Sequence, residues 1–224
     1  GDWHHTIFDL LSGKFATQLQ LDLKNLKKLQ PFFSSIQASF GVNKDLTGLS
    51  HFTRFPLDEN LVSPDGTVYE RFEIHNYSYD PTMAPPGKTC IVINFYTSKA
   101  DYWIGHRRKN RADYRALKAE FLNKCAAIVT TKLGLEPGDI EVMDLSTPAT
   151  FHRYTGNWKG STQGWLAGKN LLAPSPVKLR VPGLDNMFLC SHWNQPGGGL
   201  PIAIKTGRDL AMLLCKMNNV KFIS

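Results

Sequence analysis

The sequence predicts an α+β (mixed α/β) fold: an antiparallel sheet covered by helices, followed by a strand, a glycine turn and a last helix. Three observations carry this. The segment SSIQASFGV puts Ile36, Ala38, Phe40 and Val42 on one face with mostly polar residues between, the period of a strand with one buried side. YERFEIHNYS and KTCIVINFYT read as two further strands joined by the turn-rich DPTMAPPG, which suggests an antiparallel pair. NRADYRALKAEFLNKCAAIVTTKLG carries Tyr114, Leu117, Phe121, Cys125 and Ile128 at helical spacing, with Gly134 placed to end the helix. Strands and helices alternate without strict βαβ order, so a purely parallel sheet is not expected.

The remaining elements follow in order. Ile7, Leu11, Phe15, Leu19, Leu23 and Leu26 recur every three or four residues, so residues 5–30 are expected to be helical, broken near Gly13 and ended by Pro31. Residues 43–65, rich in Gly, Pro, Asp and Asn, read as loop with at most a short strand. EVMDLST is a short strand. After it Thr147 is placed to cap a helix that has Pro148 at its first position. VKLRV and MFLC read as strands. Residues 206–217 read as a helix with Leu210, Leu213, Leu214 and Met217 inward, its start placed after Pro201. The sheet prediction is specific: Ile36, Phe40, Phe72, Ile74, Ile91, Ile93 and Phe95 should share one side, covered by the helix over 113–133.

The chain has 224 residues, 42% hydrophobic and 20% charged, which supports one or two domains with a true core. Apolar runs are too short for a transmembrane helix. The opening GDWHHTIFDLL has neither a basic region nor a small-residue cleavage site, so it does not read as a signal peptide. Cys90, Cys125, Cys190 and Cys215 stand far apart in apolar runs, with no CxxC pair, and the seven histidines contain one adjacent pair, His4 and His5. This pattern argues against metal and for free thiols in a reducing, cytoplasmic setting. The net charge of +7 suits an anionic ligand, nucleic acid or an anionic membrane without choosing among them.

Three stretches invite a functional reading. The run His106-Arg107-Arg108-Lys109-Asn110-Arg111 precedes the long helix, where cations oppose the helix dipole, so it is assigned to the preceding loop. It reads either as a solvated loop or, with Tyr102 and Trp103 beside it, as a peripheral membrane contact through Trp103, Arg107, Arg108 and Lys109. No recognisable nucleic-acid-binding fold surrounds it, and no nucleic-acid partner is expected. STPATFHRYTGNWKGSTQGW has glycines four apart at 156, 160 and 164 with Trp158 and Trp165, a spacing that suits a folded loop held by aromatic packing. Finally, SHWNQPGGGLPIAIKTGRDLA strips three consecutive side chains just before a helix. Helix N-termini attract anions and glycine lets a phosphate or flat ring reach the backbone. The dinucleotide pattern GxGxxG is absent.

VPGLDNMFLCSHWNQPGGGLPIAIKTGRDLA resembles the C-terminal flavin-binding segment of the phytoene desaturase, carotenoid isomerase and retinol saturase family, FAD-dependent oxidoreductases related in fold to the amine oxidases. STPATFHRYTGNWKGSTQGW resembles that family's motif shortly upstream. SSIQASFGVNKDL and YDPTMAPPGKTCIVINFYT resemble its substrate-domain strands. The resemblance implies that residues 1–145 belong to a substrate-binding domain and residues 146–224 return to the FAD domain. It implies FAD as cofactor, with Ser191, His192, Trp193, Pro196, Gly197, Gly198, Gly199, Leu200 and Pro201 along the flavin. The chain departs from the family at Ser191, usually glycine, and at His192, which replaces a polar or acidic residue.

On that reading the full-length enzyme moves a hydride between a C–C bond of a lipophilic, polyene-like substrate and flavin N5, with no metal and no identified catalytic side chain. The first residues resemble the middle of the family sequence and the GxGxxG unit is lacking. The chain is therefore expected to be a C-terminal portion, catalytically silent and weak in FAD binding by itself. The alternative is a non-catalytic module that binds an apolar ligand.

Overall fold

The computed structural model describes residues 2, 4–14, 30–166 and 178–223. The chain divides into two compact units, residues 34–150 and residues 1–33 with 151–224.

In the first unit five strands form one antiparallel sheet: β1 (Ser34–Val42), β2 (Phe52–Val62), β3 (Val68–Asn76), β4 (Thr89–Thr97) and β5 (Ile140–Ser146), in the order β2-β3-β4-β1-β5. β1 pairs with β4 along its whole length, from Ser34↔Thr97 to Val42↔Thr89. β3 and β4 pair only from Ile74↔Ile93 to Asn76↔Ile91. Two helices follow β4: α1 (Ala100–Lys109) and α2 (Arg111–Leu133). Asn110 caps α2, its side-chain oxygen accepting from the amides of Ala112 and Asp113 at 3.0 and 3.2 Å. Gly134 closes it in a left-handed conformation.

The expected sheet face is present. Ile36, Phe40, Phe72, Ile74, Ile91, Ile93 and Phe95 lie in one buried cluster with Tyr114, Phe121, Leu122, Cys125 and Val129 of α2. The Phe95 and Phe121 rings meet edge to face at 5.4 Å. Leu117 is half-buried, and Leu122 and Val129 extend the contact stripe instead. The loop after β1 is pinned by buried polar groups: Asn76 donates to the Leu46 and Leu49 carbonyls, and Thr89 accepts from Leu46 N–H and donates to the Lys44 carbonyl.

Three expectations in this unit are corrected. Residues 43–65, read as loop, contain the eleven-residue strand β2. β2 lies at the sheet edge, where Pro56 and the charges Arg54, Asp58 and Glu59 are tolerated because one side needs no partner. The basic run His106–Lys109 forms the last turn of α1 rather than a loop. There the cations complement the negative end of the helix dipole. Trp103 is fully buried, so it cannot touch a membrane. The indole of Trp103 faces inward because its N–H is bound to Asp65 at 2.8 Å.

α3 (Pro148–Thr155) begins at Pro148 as expected, with the Thr150 hydroxyl accepting from Thr147 N–H at 3.1 Å. In the second unit, His5–Leu10 form a π-helix that ends in a turn at Ser12 and Gly13, both with positive φ. The rest of the helix expected over 5–30 falls on 15–29, outside the described residues. The described residues of VKLRV, 178–181, and MFLC do not form strands. They meet in a single bridge, Arg180↔Phe188, across a turn, with hydrogen bonds from Val181 N–H to the Met187 carbonyl and from Leu189 N–H to the Leu179 carbonyl beside it. α4 (Gly199–Met217) starts within the glycine run, before Pro201. Leu210 and Leu213 are half-buried, whereas Leu214 and Met217, expected inward, are 37% and 47% exposed. The core of this unit is Ile7, Trp165, Val181, Leu189 and Trp193. No helix among the described residues is long and apolar enough to cross a membrane.

Candidate functional site

The glycine turn and the loop before it fold onto each other within the second unit. Residues 191–194 close a tight turn. Asn194 accepts from Ser191 N–H at 2.8 Å and donates to the Leu189 carbonyl, and the Ser191 hydroxyl accepts from Trp193 N–H. This turn drives Trp193 inward, where it is fully buried. The Trp193 ring sits edge-on to Trp165 at 5.1 Å and near Trp158 at 6.5 Å. Both indole N–H groups are satisfied: Trp193 donates to Asn157 at 3.2 Å, and Trp165 donates to the Trp193 carbonyl at 2.9 Å. Burying such large rings is favourable only with those polar handles paired.

The glycines follow. Gly197, Gly198 and Gly199 all have positive φ, at 95°, 49° and 70°. Gly197 donates its N–H to the Trp165 carbonyl at 3.1 Å. A Cβ on Gly198 would lie 1.3 Å from the Gln163 carbonyl oxygen, so that position admits no side chain at all. A Cβ on Gly197 would meet nothing within 4 Å. The two glycines therefore differ: one is bare because backbone crosses it, the other leaves an open face. The α4 N-terminus begins immediately after, and its first amides have no partner inside the helix. Gly164 is similarly crowded, since a Cβ there would meet the His192 carbonyl oxygen at 2.9 Å.

His192 is half-buried, and its Nε2 is buried without a hydrogen-bond partner. Burial, reinforced by the N-terminal ammonium and opposed by Asp2, pushes its pKa down. The imidazole is accordingly neutral at neutral pH. Thr206 of α4 fixes the helix to the turn by donating to the Ser191 carbonyl at 3.3 Å.

All nine residues expected along the flavin, Ser191, His192, Trp193, Pro196, Gly197, Gly198, Gly199, Leu200 and Pro201, thus lie on one turn and helix start. Trp193 and Gly198 are buried within it, while Leu200 is 77% exposed. Sequence reasoning missed Asn157, Gln163 and Asn194. Asn194 had a local signal, as an Asx residue in a turn. Gln163 had none, because its role is a backbone carbonyl.

No family model matches the chain. A curated relative, the 4,4'-diaponeurosporene oxygenase of Staphylococcus haemolyticus, is 24% identical over 219 residues, covering 92% of this chain. The chain spans 40% of that relative's length. Its similarity is therefore to a carotenoid oxygenase, at a distance, and extends through both units.

Proposed function

We propose that this chain is part of an FAD-dependent oxidoreductase acting on a lipophilic, polyene-like substrate. The observation that carries the reading is the similarity to a carotenoid oxygenase along 92% of the chain. It joins the sequence resemblance to the phytoene desaturase family, which covers the same span.

The residues present fit one side of a flavin. Gly197 offers bare backbone with nothing within 4 Å of its missing Cβ, and the α4 N-terminus beside it suits a flat or anionic group. When bound, FAD supplies the acceptance or return of a hydride at its N5. The chain's own part is to hold and to keep dry. The turn at 191–194 fixes where the glycines run, and the buried indoles of Trp165 and Trp193 stiffen the wall behind them. The neutral imidazole of His192 adds no charge there. Without a GxGxxG unit, this chain has nothing to hold the ADP portion, so by itself it binds FAD weakly and turns nothing over. Arg107, Arg108 and Lys109 at the end of α1 remain as a contact for an anionic membrane, now without Trp103.

The test is a fluorescence titration of the purified 224-residue chain with FAD, repeated on the polypeptide of its complete reading frame. Flavin retained by the longer protein and not by the chain supports the reading. Micromolar binding by the chain alone overturns the fragment part of it. A second reading, an apolar-ligand module without redox chemistry, is favoured by Gly198, whose glycine is required by Gln163 rather than by any ligand. Lipid copurifying without flavin would select it.

A further inference from the structure

β3 and β4 are neighbours in the sheet, yet their pairing stops at Ile74↔Ile93, although β3 begins at Val68 and β4 runs to Thr97. Continuing the register would set Glu73 against Asn94, Phe72 against Phe95 and Arg71 against Tyr96. The strands part there instead and leave a cleft of about 460 Å³ between residues 67–73 and residues 94–96. Both of its ends are fixed. The ladder closes one, and the Thr67 and Thr97 hydroxyls, 3.1 Å apart, tie the other. The cleft is a window in the sheet and not a frayed edge.

Its lips are rich in donors. Tyr77 N–H bonds the Cys90 carbonyl, and by the alternation of an antiparallel ladder Arg71 and Tyr96 turn their backbone groups toward each other. The Tyr69 hydroxyl takes the Tyr96 carbonyl at 3.2 Å, while the amides of Arg71 and Tyr96 lie beyond the last ladder pair. Phe72 and Phe95 belong to the core, so Arg71, Asn94 and Tyr96 lie on the opposite face of the sheet. Among the described residues neither the Arg71 guanidinium nor the Asn94 carboxamide has an ion pair or a hydrogen bond. Of the two carboxylates on the cleft, Glu73 is bound by Arg54 at 2.7 Å and Glu70 is exposed, where solvent screens it. Apolar surface lies alongside: Val68 and Tyr96 are 53% and 51% exposed, and the Tyr69 ring packs on Phe95 at 4.8 Å.

From this we infer that the β3–β4 cleft binds the carboxylate of an apolar organic acid. A guanidinium fork matches the two carboxylate oxygens. Asn94 and the two amides add donors, and the apolar body of the acid lies on Val68 and Tyr96. An inorganic anion would leave those side chains unused, and a neutral lipid would leave Arg71 unmatched. The inference does not use the flavin reading and survives its failure.

The probe is cis-parinarate, a polyene fatty acid whose fluorescence rises on leaving water, titrated into the purified 224-residue chain. Its methyl ester is the reference. The expected result is one saturable site that binds the acid at least about tenfold more tightly than the ester. Arg71→Gln should weaken the acid about fivefold and leave the ester unchanged. Asn94→Thr, on the opposite lip, should weaken the acid about threefold, and it carries the test if Arg71→Gln does not fold. Lys124→Gln and Lys132→Gln, beside the separate groove between β2 and α2, should change nothing. Equal affinity for acid and ester overturns the inference, as does an acid affinity indifferent to Arg71 and Asn94. Weakening by Lys124→Gln or Lys132→Gln would assign the acid to the other groove. Displacement by inorganic phosphate at matched concentration would reduce the cleft to a general anion contact. Either result overturns it as well.

Discussion

The indole N–H of Trp103 donates to Oδ2 of Asp65 at 2.8 Å, tying the turn between β2 and β3 to the first helix after β4. The carboxylate is otherwise saturated by neutral donors. Ser63 and the Thr67 amide donate to Oδ1 at 2.6 and 2.9 Å, and Thr97 donates to Oδ2 at 2.8 Å. Burial raises the Asp65 pKa, but these hydrogen bonds together outweigh it and hold the group below the usual carboxylate range. With no cation in the network, the negative charge itself organises four donors.

Asp65→Ala should therefore cost about 3 kcal/mol by chemical denaturation, because it orphans several buried donors at once. Trp103→Phe removes one bond and little volume and should cost about 1 kcal/mol. A lowered folded pKa makes this contribution full above the unfolded value of about 3.9 and lost as pH falls through the folded one. Asp65→Asn should flatten that acid limb. An unchanged acid profile in the variant would show that other carboxylates control it.

Phe121 joins α2 to the sheet through its contact with Phe95, at 1% exposure. Phe121→Ala should lower stability by about 3–5 kcal/mol, the cost of lost burial and a residual cavity. Leu117→Ala, at a half-buried position on the same helix, should cost clearly less. Equal losses would mean that α2 packs through a different stripe.

These comparisons locate what was legible in the sequence. β1 and α2 were legible because each pairs a strong period with a deep core: Ile36 to Phe40 alternate, and Tyr114, Phe121 and Cys125 recur at helical spacing. β2 was not, because an edge strand with one ladder partner needs no apolar alternation and can carry Pro56. The direction of Trp103 was not either. An indole beside four basic residues looks like a surface anchor until Asp65, thirty-eight residues earlier, is folded against it. At the candidate site the aromatic and glycine positions were visible, but their division of labour was not. Only the crossing of Gln163 over Gly198 separates a structural glycine from an open one.

His192 gives the second unit its own pH dependence. Its pKa is lowered in the fold, so the unfolded chain binds a proton more readily. Stability is then full above the unfolded value of about 6.5 and declines as pH falls below it. Thermal melts of the chain should drop between neutral and mildly acidic pH, and His192→Gln should remove that part of the slope. A parent and variant with parallel profiles would show that the imidazole protonates freely.

Thiol chemistry should follow burial. Cys125 is fully buried and its thiol is pushed up to about 12, whereas Cys190 is exposed. Because the thiolate is the reactive species, alkylation of the native chain should label Cys190 quickly and leave Cys125 untouched until the protein unfolds. Early labelling of Cys125 would mean that α2 opens from the sheet.

The sharpest discrimination lies between neighbouring glycines. At Gly198 the backbone is at φ 49° and ψ −156°, and a Cβ would fall 1.3 Å from the Gln163 carbonyl oxygen. Gly198→Ala must therefore displace backbone, either the turn or the 161–165 loop, and should cost more than about 3 kcal/mol. At Gly197 the only penalty is positive φ, about 1–2 kcal/mol, because nothing lies within 4 Å. Flavin binding reads the same pair in the opposite sense. If the open face of Gly197 lies against the ring, Gly197→Ala in the longer polypeptide should abolish flavin retention while lowering the melt by only a few degrees. Gly198→Ala should lose both together. Retention of flavin by a folded Gly197→Ala protein would remove this face from the site and leave the glycine run as a purely structural turn.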